Sequence, residues 1–376
     1  MQVPHTFSDH MDLRGHLAFL VGLVGIIGIA GCDPDMPPPD YETPNMRIYT
    51  NFEAPLCAGD LEDLEGFIES VEQTLGVSMH STVDVYLWNE VYVPEGQGCR
   101  KAQPGCYRAK EHSVYTTFIS VHHELVHAVV GDFGRPNDFF TEGIASAMEP
   151  RSTRFLGADP SVLLGLESED TGSYARQAHF SRWLLETHGA AKWRELYQTT
   201  GSQRAFEKVY GVSFAEAVDE YFITSLWSYP QEYRRALPAL PEAEVGWRDD
   251  VDFDCSTSAA FGGPESTSML RVLDLQESGL YDIWTSADFV SVRRRTKHSI
   301  STKEEAEAAG DSDVPGSTSI SPFGSSVVIP GGTVGVLQLD ADEYEVALID
   351  LDRDLDEATV VLVPHLGPIP HVPGAL

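Results

Sequence analysis

The residues with the clearest chemical potential lie in one short segment, VHHELVHAVV at positions 121–130. Within it, His123, Glu124 and His127 form the pattern His-Glu-x-x-His. On a helix the two histidines lie on one face and can bind the same metal ion. Two imidazoles plus a carboxylate, with a fourth position open to water, are typical ligands of a catalytic Zn²⁺. Glu124 lies about 100° further round the helix, so it is expected to reach a water at the metal rather than the metal itself.

A third metal ligand is expected from the next helix, which is predicted from the sequence FFTEGIASAME at positions 139–149. Glu142 is the best candidate, because it precedes small residues that allow two helices to approach closely. These small residues are Gly143, Ala145 and Ala147. Other acidic residues in this region are weaker candidates for the third ligand, namely Asp132, Asp138 and Glu149.

The helix that carries the pattern is apolar on nearly all sides. A buried helix with two histidines and a glutamate needs a partner for these groups, because burying them unpaired is costly. A single zinc ion is such a partner. One isolated histidine would more often be a core residue, but this triplet favours a metal site.

The segments HELVHAVV and FFTEGIASAM resemble the gluzincins, the zinc metallopeptidases related to thermolysin and to the aminopeptidases. The resemblance covers about residues 115–225 and is closest to compact bacterial members with a Trp-x-x-Glu-Gly-x-Ala pattern. Phe140 lies in the region where these members carry tryptophan, and the interval from His127 to Glu142 is shorter than in the larger members. The resemblance implies a zincin-like catalytic domain.

The same resemblance implies the roles of the site residues. His123, His127 and Glu142 would bind one zinc ion, and Glu124 would be the general base. Gluzincins often use a tyrosine or a histidine to bind the oxyanion, and the sequence offers Tyr174 and His179 without selecting either.

The expected activity is hydrolysis of peptide bonds. Zinc lowers the pKa of its bound water from about 15.7 to about 7, and Glu124 would take the proton as the water attacks the peptide carbonyl. One alternative is a catalytically inactive, zinc-containing surface lipoprotein that acts as a binding module. Another is a scaffold that binds protein or glycan through its C-terminal part.

The first part of the chain, residues 1–32, is predicted to be a signal peptide. Leu17–Ala30 is an uncharged apolar run, too short for a membrane-spanning helix of about 20 residues. The run ends in IAGC, which resembles a bacterial lipobox, so Cys32 is expected to be lipidated. An ordinary secretory signal with an incidental cysteine is the alternative. Met11 is a possible start in place of Met1.

Residues 33–46 are rich in proline and acidic residues and are predicted to be a tether between membrane and domain. The expected location is therefore a bacterial cell envelope. The expected partners are a peptide or protein substrate and the membrane that holds the lipid.

Four cysteines follow the lipobox: Cys57, Cys99, Cys106 and Cys255. An even number in an exported protein predicts two disulfides, with three possible pairings. We favour Cys99–Cys106, because the segment between them contains glycine and proline and can bend back on itself. This choice leaves Cys57 to pair with Cys255.

The composition of the mature chain predicts an α+β protein. Residues 47–235 are predicted to be mainly helical with a few strands and to form the catalytic domain, and the Pro-rich residues 236–247 a linker. Residues 248–376 contain short strand-like runs separated by Gly, Asp and Pro, which is typical of a β-sandwich and predicts an accessory domain.

The formal net charge of the 376-residue chain is −33 at pH 7. A nucleic-acid-binding protein needs a basic patch to neutralise phosphates, so no nucleic-acid partner is expected. An acidic substrate is disfavoured for the same electrostatic reason.

Overall fold

A computed structural model describes residues 38–150, 153–154, 159–163, 171–263, 266–295, 326–339 and 341–365. The described residues from Pro39 onward belong to one compact unit. The predicted signal peptide, Cys32 and the first part of the predicted tether lie outside the described residues. None of the helices within these ranges combines the length and the apolar composition needed to cross a bilayer.

The N-terminal part contains helices and a mixed sheet. Its helices are α1 (Ala58–Leu75), α2 (Val121–Gly131), α3 (Asp138–Met148), α4 (Thr171–Tyr197), α5 (Gln203–Tyr210) and α6 (Phe214–Thr224), with a short 3-10 helix at Pro160–Leu163. α4 is kinked at Gly189, whose backbone is not helical. Its strands are β1 (Tyr41–Glu42), β2 (Met46–Thr50), β3 (Val83–Trp88), β4 (Gly105–Arg108), β5 (Ser113–Thr117), β6 (Thr153–Arg154) and β7 (Ser228–Tyr229).

Strands β1 to β5 form one sheet in the order β1-β2-β3-β5-β4. β2, β3 and β5 run parallel, whereas β4 pairs antiparallel with β5 at the sheet edge. Parallel strands need cover on their faces, and residues such as Val85 and Val114 share one apolar cluster with α1 and α2. Because β5 leads directly into α2, the sheet fixes where the helix with His123 begins.

Helix α1 starts and ends where the sequence provides caps. The Asp60 carboxylate accepts a hydrogen bond from Cys57 N at 2.9 Å and satisfies a backbone donor of the first turn. Gly76 follows the helix with a φ of 61°, a left-handed conformation that glycine adopts without strain. The buried side of α1 contributes Phe67 and Ile68 to the cluster shared with α2.

Helix α3 packs more extensively on α4 than on α2. A Cβ atom added to Gly143 would lie 2.4 Å from Ser181 Oγ and 2.9 Å from Gln177 O, both of α4. The sequence predicts that the small residues of α3 allow α2 to approach closely. For Gly143 this prediction is wrong, because the helix that lies against it is α4. Further apolar contacts between α3, α4, α5 and α6 form an aromatic cluster that includes Phe139 and Trp183.

The C-terminal part consists of two antiparallel sheets, in the orders β13-β12-β15-β10-β9 and β14-β11-β16-β8. The strands are β8 (Trp247–Asp252), β9 (Ala260–Gly263), β10 (Ser266–Asp274), β11 (Gly279–Thr285), β12 (Phe289–Arg294), β13 (Ser326–Pro330), β14 (Val334–Leu339), β15 (Glu343–Asp350) and β16 (Glu357–Pro364). Alternate residues of both sheets, such as Ile283 and Val346, lie in one shared apolar cluster. The α+β prediction with β structure in the C-terminal part is confirmed at this level.

Two disulfides are present, Cys57–Cys255 and Cys99–Cys106, and these are the predicted pairs. The first joins the start of α1 to the C-terminal part, next to a hydrogen bond from Ala58 N to Cys255 O of 2.8 Å. The second closes the segment that leads into β4. Disulfides are typical of oxidising compartments, so they indicate a protein outside the cytoplasm.

The predicted linker at residues 236–247 is packed against the C-terminal part. Leu240 N donates to Val272 O at 2.6 Å, and Val272 N donates to Pro238 O at 2.9 Å. Leu240 is also buried in the apolar cluster of the two sheets. The segment therefore adds backbone pairing to the edge of the C-terminal structure.

Candidate metal centre

Helices α2 and α3 bring three predicted metal ligands to one point. His123 Nε2 lies 3.0 Å from Glu142 Oε2 and 3.2 Å from His127 Nε2, and the distance from His127 Nε2 to Glu142 Oε2 is 3.5 Å. Among the described residues, these three side chains are the group of His, Cys, Asp or Glu whose ligand atoms all lie within 4.8 Å of one another. These three residues could therefore hold a metal ion.

The spacing of the three atoms is compatible with a tetrahedral ion. With bonds of about 2.0–2.1 Å to Zn²⁺, two ligand atoms of a regular tetrahedron lie about 3.3–3.4 Å apart. The separations of 3.0, 3.2 and 3.5 Å lie on both sides of that value. Three protein ligands leave a fourth position, as in catalytic rather than structural zinc sites. The donor set therefore fits zinc.

The other ring nitrogen of His123 is held by groups that follow Glu142 along the chain. His123 Nδ1 lies 2.9 Å from Glu149 Oε1 and 3.4 Å from Ser146 Oγ. A carboxylate at this nitrogen fixes the tautomer and the ring orientation and makes Nε2 a better ligand. Glu149, a weaker candidate for the third ligand, thus lies on the opposite side of the ring from Glu142 and supports His123.

Burial and neighbouring charges act in opposite directions at the ligands. Burial lowers the pKa of His123, but hydrogen bonds to Glu142 and Glu149 outweigh it, so the pKa is raised well above its usual value. Burial raises the pKa of Glu142, but the nearby His127 and His123 outweigh it, so this pKa is held well below its usual value. Both shifts favour an ion pair between His123 and Glu142, and a bound metal ion would take the place of the His123 proton.

Glu124 lies beside the three candidate metal ligands and against strand β4. The residue is 6% exposed, and burial is the main reason for its raised pKa, although His127 and His123 act to lower it. A Cβ atom on Gly105 would lie 2.6 Å from Glu124 Cγ and 2.8 Å from Glu124 Oε1. Gly105 therefore leaves the space that the Glu124 side chain fills. Glu124 is thus a buried carboxylate with a raised pKa beside the three candidate metal ligands.

The two candidates for binding an oxyanion lie in different surroundings. The ring of Tyr174 meets the ring of His123 edge to face, with centroids 6.0 Å apart. His179 is fully buried, its Nδ1 lies 2.9 Å from the Tyr221 hydroxyl, and the Tyr229 ring is 5.0 Å away. Burial lowers the pKa of His179 to about 3, against hydrogen bonds with the backbone. Only Tyr174 is thus placed against a metal-ligand candidate, whereas His179 has the surroundings of a core histidine.

A second polar network attaches α2 to α1. His122 Nε2 lies 3.2 Å from Asp63 Oδ2, and Asp63 Oδ1 lies 3.2 Å from Arg235 Nε. Phe67 also meets the His122 ring edge to face at 4.7 Å. Asp63 is 6% exposed, so these partners are needed to offset the cost of its burial. The network positions the start of α2, next to His123.

Sequence reasoning missed Gly105, Ser146 and the role of Glu149. A glycine at the start of a strand gives no signal unless the facing helix is known. Ser146 and Glu149 follow Glu142 at i+4 and i+7, which places all three on one face of a helix. That spacing was the available signal for Ser146 and Glu149.

No protein-family model matches the chain, and no curated protein matches it. Among solved structures, the crystal structure of FeII HppE has 8% sequence identity and a TM-score of 0.14, with 51% of this chain and 88% of that chain covered. A cycloisomaltooligosaccharide glucanotransferase of Paenibacillus sp. in complex with cycloisomaltoheptaose has 8% identity and a TM-score of 0.15, with 85% of this chain and 57% of that chain covered. At these TM-scores neither structure bears on the fold or the site.

Proposed function

We propose that this protein is a zinc-dependent metallopeptidase of the gluzincin type, exported by a bacterium and anchored to a membrane by lipid on Cys32. The observation that carries the proposal is the convergence of His123, His127 and Glu142 with the buried Glu124 beside them. A structural metal site has no need of Glu124 in addition to its three ligands, because a buried carboxylate is costly to desolvate. A hydrolase needs a base at that place.

His123, His127 and Glu142 would hold the ion, with Glu149 orienting His123. When bound, zinc would polarise the peptide carbonyl and lower the pKa of a coordinated water to about 7. Glu124 accepts the proton of the attacking water on its carboxylate and then delivers it to the leaving amine. Its burial supports this role, because a base whose pKa is raised toward neutrality is better matched to both proton transfers.

Strand β4 supports a peptide as the substrate. β4 is the edge of its sheet, and within the described ranges no strand pairs with its outer side. The Gly105 carbonyl accepts a hydrogen bond from Gln103 Nε2 at 2.7 Å, which a bound peptide would have to replace. The strand also begins at Gly105, directly against Glu124. An extended chain that pairs with an exposed strand edge gains main-chain hydrogen bonds independently of its side chains. A peptide bound along β4 would therefore lie next to the proposed general base.

The proposal is tested by measuring zinc content and cleavage of a broad peptide library for the wild type and matched variants. Glu124→Gln retains the shape of the side chain but cannot accept the proton, so it should keep zinc and lose about 10²–10⁴-fold in turnover. His127→Ala and Glu142→Ala each remove a ligand and should lose both zinc and activity. Asp138→Ala changes an exposed acid of the same helix as Glu142 and should alter neither.

Three results would contradict the proposal in whole or in part. A wild type that holds one zinc ion per chain but cleaves no peptide would favour the catalytically inactive, zinc-containing lipoprotein that acts as a binding module. A Glu142→Ala variant with full zinc occupancy would show that the third ligand is another residue. A scaffold without a metal function would bind no zinc at any stage.

The membrane anchor has a separate test. Cys32→Ala should leave the precursor unprocessed or release the protein from the membrane fraction, because no thiol remains to receive a lipid. A mature-sized Cys32→Ala protein that still sediments with membranes would refute the anchor but leave the peptidase proposal intact.

A further inference from the structure

The turn between β15 and β16 has the residue spacing of a calcium-binding loop. Its sequence from position 350 is DLDRDLDE, which places Asp350, Asp352 and Asp354 at positions one, three and five. In calcium loops, carboxylates at these positions and a backbone carbonyl at position seven are ligands. Acidic turns are also common on protein surfaces, so the spacing needs a second observation.

That observation is the burial of Asp350, which is 1% exposed. Its Oδ2 accepts a hydrogen bond from Leu355 N at 3.2 Å, which directs the carboxylate into the turn. Its Oδ1 is shielded from solvent and has no hydrogen-bond partner among the described residues. A buried carboxylate oxygen without a donor is costly. A cation in the turn would remove this cost.

The basic residue of the turn does not serve as that partner. The guanidinium of Arg353 donates through one nitrogen to Pro55 O, Gly263 O and Ser266 O, which belong to other segments. The remaining charged side chains of the turn are all acidic: Asp352, Asp354, Asp356 and Glu357. Arg353 Nε is buried and has no hydrogen-bond partner among the described residues, so this group does not neutralise Asp350 Oδ1. The four acidic side chains repel one another, and the net charge of the protein, −33, adds to that repulsion.

We infer that this turn is a Ca²⁺ site in which Asp350 Oδ1 is the buried ligand and Asp352 and Asp354 complete the carboxylate set. Asp352 and Asp354 are exposed, so their side chains turn toward Asp350 on binding. Oxygen ligands of this kind favour Ca²⁺, which accepts six to eight of them in a flexible geometry. The site is separate from the one formed by the two histidines.

Two departures from the usual calcium loop indicate modest affinity. Leu355 occupies position six, where glycine is usual, and Val361 occupies position twelve, where a bidentate glutamate is usual. The site therefore has fewer protein ligands, and water completes the coordination. We expect a Kd on the order of 10⁻⁴–10⁻³ M, as in other extracellular calcium modules.

The test is titration of Ca²⁺ into the full mature chain loaded with zinc, by calorimetry. The unfolding midpoint is followed in parallel with Ca²⁺ and with Mg²⁺ at equal concentrations. We expect saturable binding of Ca²⁺ and a rise in the midpoint. Mg²⁺ should have a smaller effect, because it needs near-octahedral geometry and dehydrates reluctantly.

The variants locate the site. The double variant Asp352→Ala/Asp354→Ala changes exposed side chains only and should weaken Ca²⁺ binding at least 10-fold, with its zinc content unchanged. Asp350→Asn should abolish binding. If Asp350→Asn fails to fold, the double variant still decides the question. Glu277→Ala changes an exposed acid at the other end of the β structure and should bind Ca²⁺ like the wild type. Absence of saturable binding in the wild type, or equal affinity in the double variant and Glu277→Ala, would overturn the inference.

Discussion

Glu149 Oε1 lies 2.9 Å from His123 Nδ1, and Glu142 Oε2 lies 3.0 Å from the Nε2 of the same ring. One imidazole is thus held between two carboxylates, one within α3 and one directly after its last residue. Their separation of two helical turns places both on the face of α3 that meets α2. The orientation of His123 is therefore set by α3.

Replacing Glu149 by glutamine should weaken zinc binding without abolishing it. Glutamine retains an acceptor for the His123 N–H but removes the charge that makes Nε2 a strong donor to the metal. Loss of such a partner typically costs about 10–100-fold in metal affinity, measured by competition with a chelator. Asp138→Asn is the control and should bind zinc like the wild type. An unchanged affinity in Glu149→Gln would mean that Ser146 alone orients the ring.

Gly105→Ala should move Glu124, the proposed general base, away from the candidate metal ligands. The new methyl group would lie 2.6 Å from Glu124 Cγ, so the Glu124 side chain must move. A displacement of about 1 Å at a reacting group can cost 10²-fold in rate, and zinc should remain bound. Gly263→Ala is a matched control, because its added Cβ meets no atom within 4 Å. Loss of zinc together with activity in Gly105→Ala would show that α2 itself had moved.

The two disulfides should differ in their contribution to stability. Cys57–Cys255 spans 198 residues and Cys99–Cys106 spans 7. The loss of chain entropy in the unfolded state predicts about 5 kcal/mol for the first and about 2.5 kcal/mol for the second. Urea unfolding of the variants Cys57→Ala/Cys255→Ala and Cys99→Ala/Cys106→Ala measures both values. Equal destabilisation would mean that native contacts, rather than loop entropy, dominate.

The titration of Asp60 should make the free energy of unfolding decrease as pH rises between the unfolded-state and folded-state pKa values of this residue. Burial raises its pKa to about 6, against hydrogen bonds from Gly262 N and Cys57 N. The unfolded chain has a pKa of about 3.9 for aspartate. Between these values the folded state holds a proton that the unfolded state has released, so the free energy of unfolding decreases with rising pH.

Asp60→Asn should remove that pH dependence. Both hydrogen bonds reach the same oxygen, Oδ2, and an amide oxygen can accept them without a charge. Above pH 6 the variant should be more stable than the wild type by about 3 kcal/mol. Urea unfolding between pH 4 and 8 measures the difference, with Asp138→Asn as control. If the variant retains the wild-type slope of the free energy of unfolding against pH, then a titrating group other than Asp60 causes that slope.

The sequence by itself determined the elements that depend on local chemistry. The i, i+4 spacing of His123 and His127 predicted a two-histidine face on α2, because helical periodicity is a property of the backbone. The glutamate predicted as their partner, Glu142, lies within reach, since the next helix is short and follows after one turn. The two disulfide pairs were predicted because loop length and cysteine number restricted the alternatives.

Only the tertiary structure decided which groups surround those elements. Gly105 is distant from Glu124 in sequence, and its contact with that side chain exists because β4 is paired beside β5 at the edge next to α2. Gly143 meets α4 rather than α2, and Asp63 meets His122 and Arg235, for the same reason. Contacts between distant segments depend on how whole elements pack against one another. That packing minimises the free energy of the whole chain, so the periodicity of a single segment does not determine it.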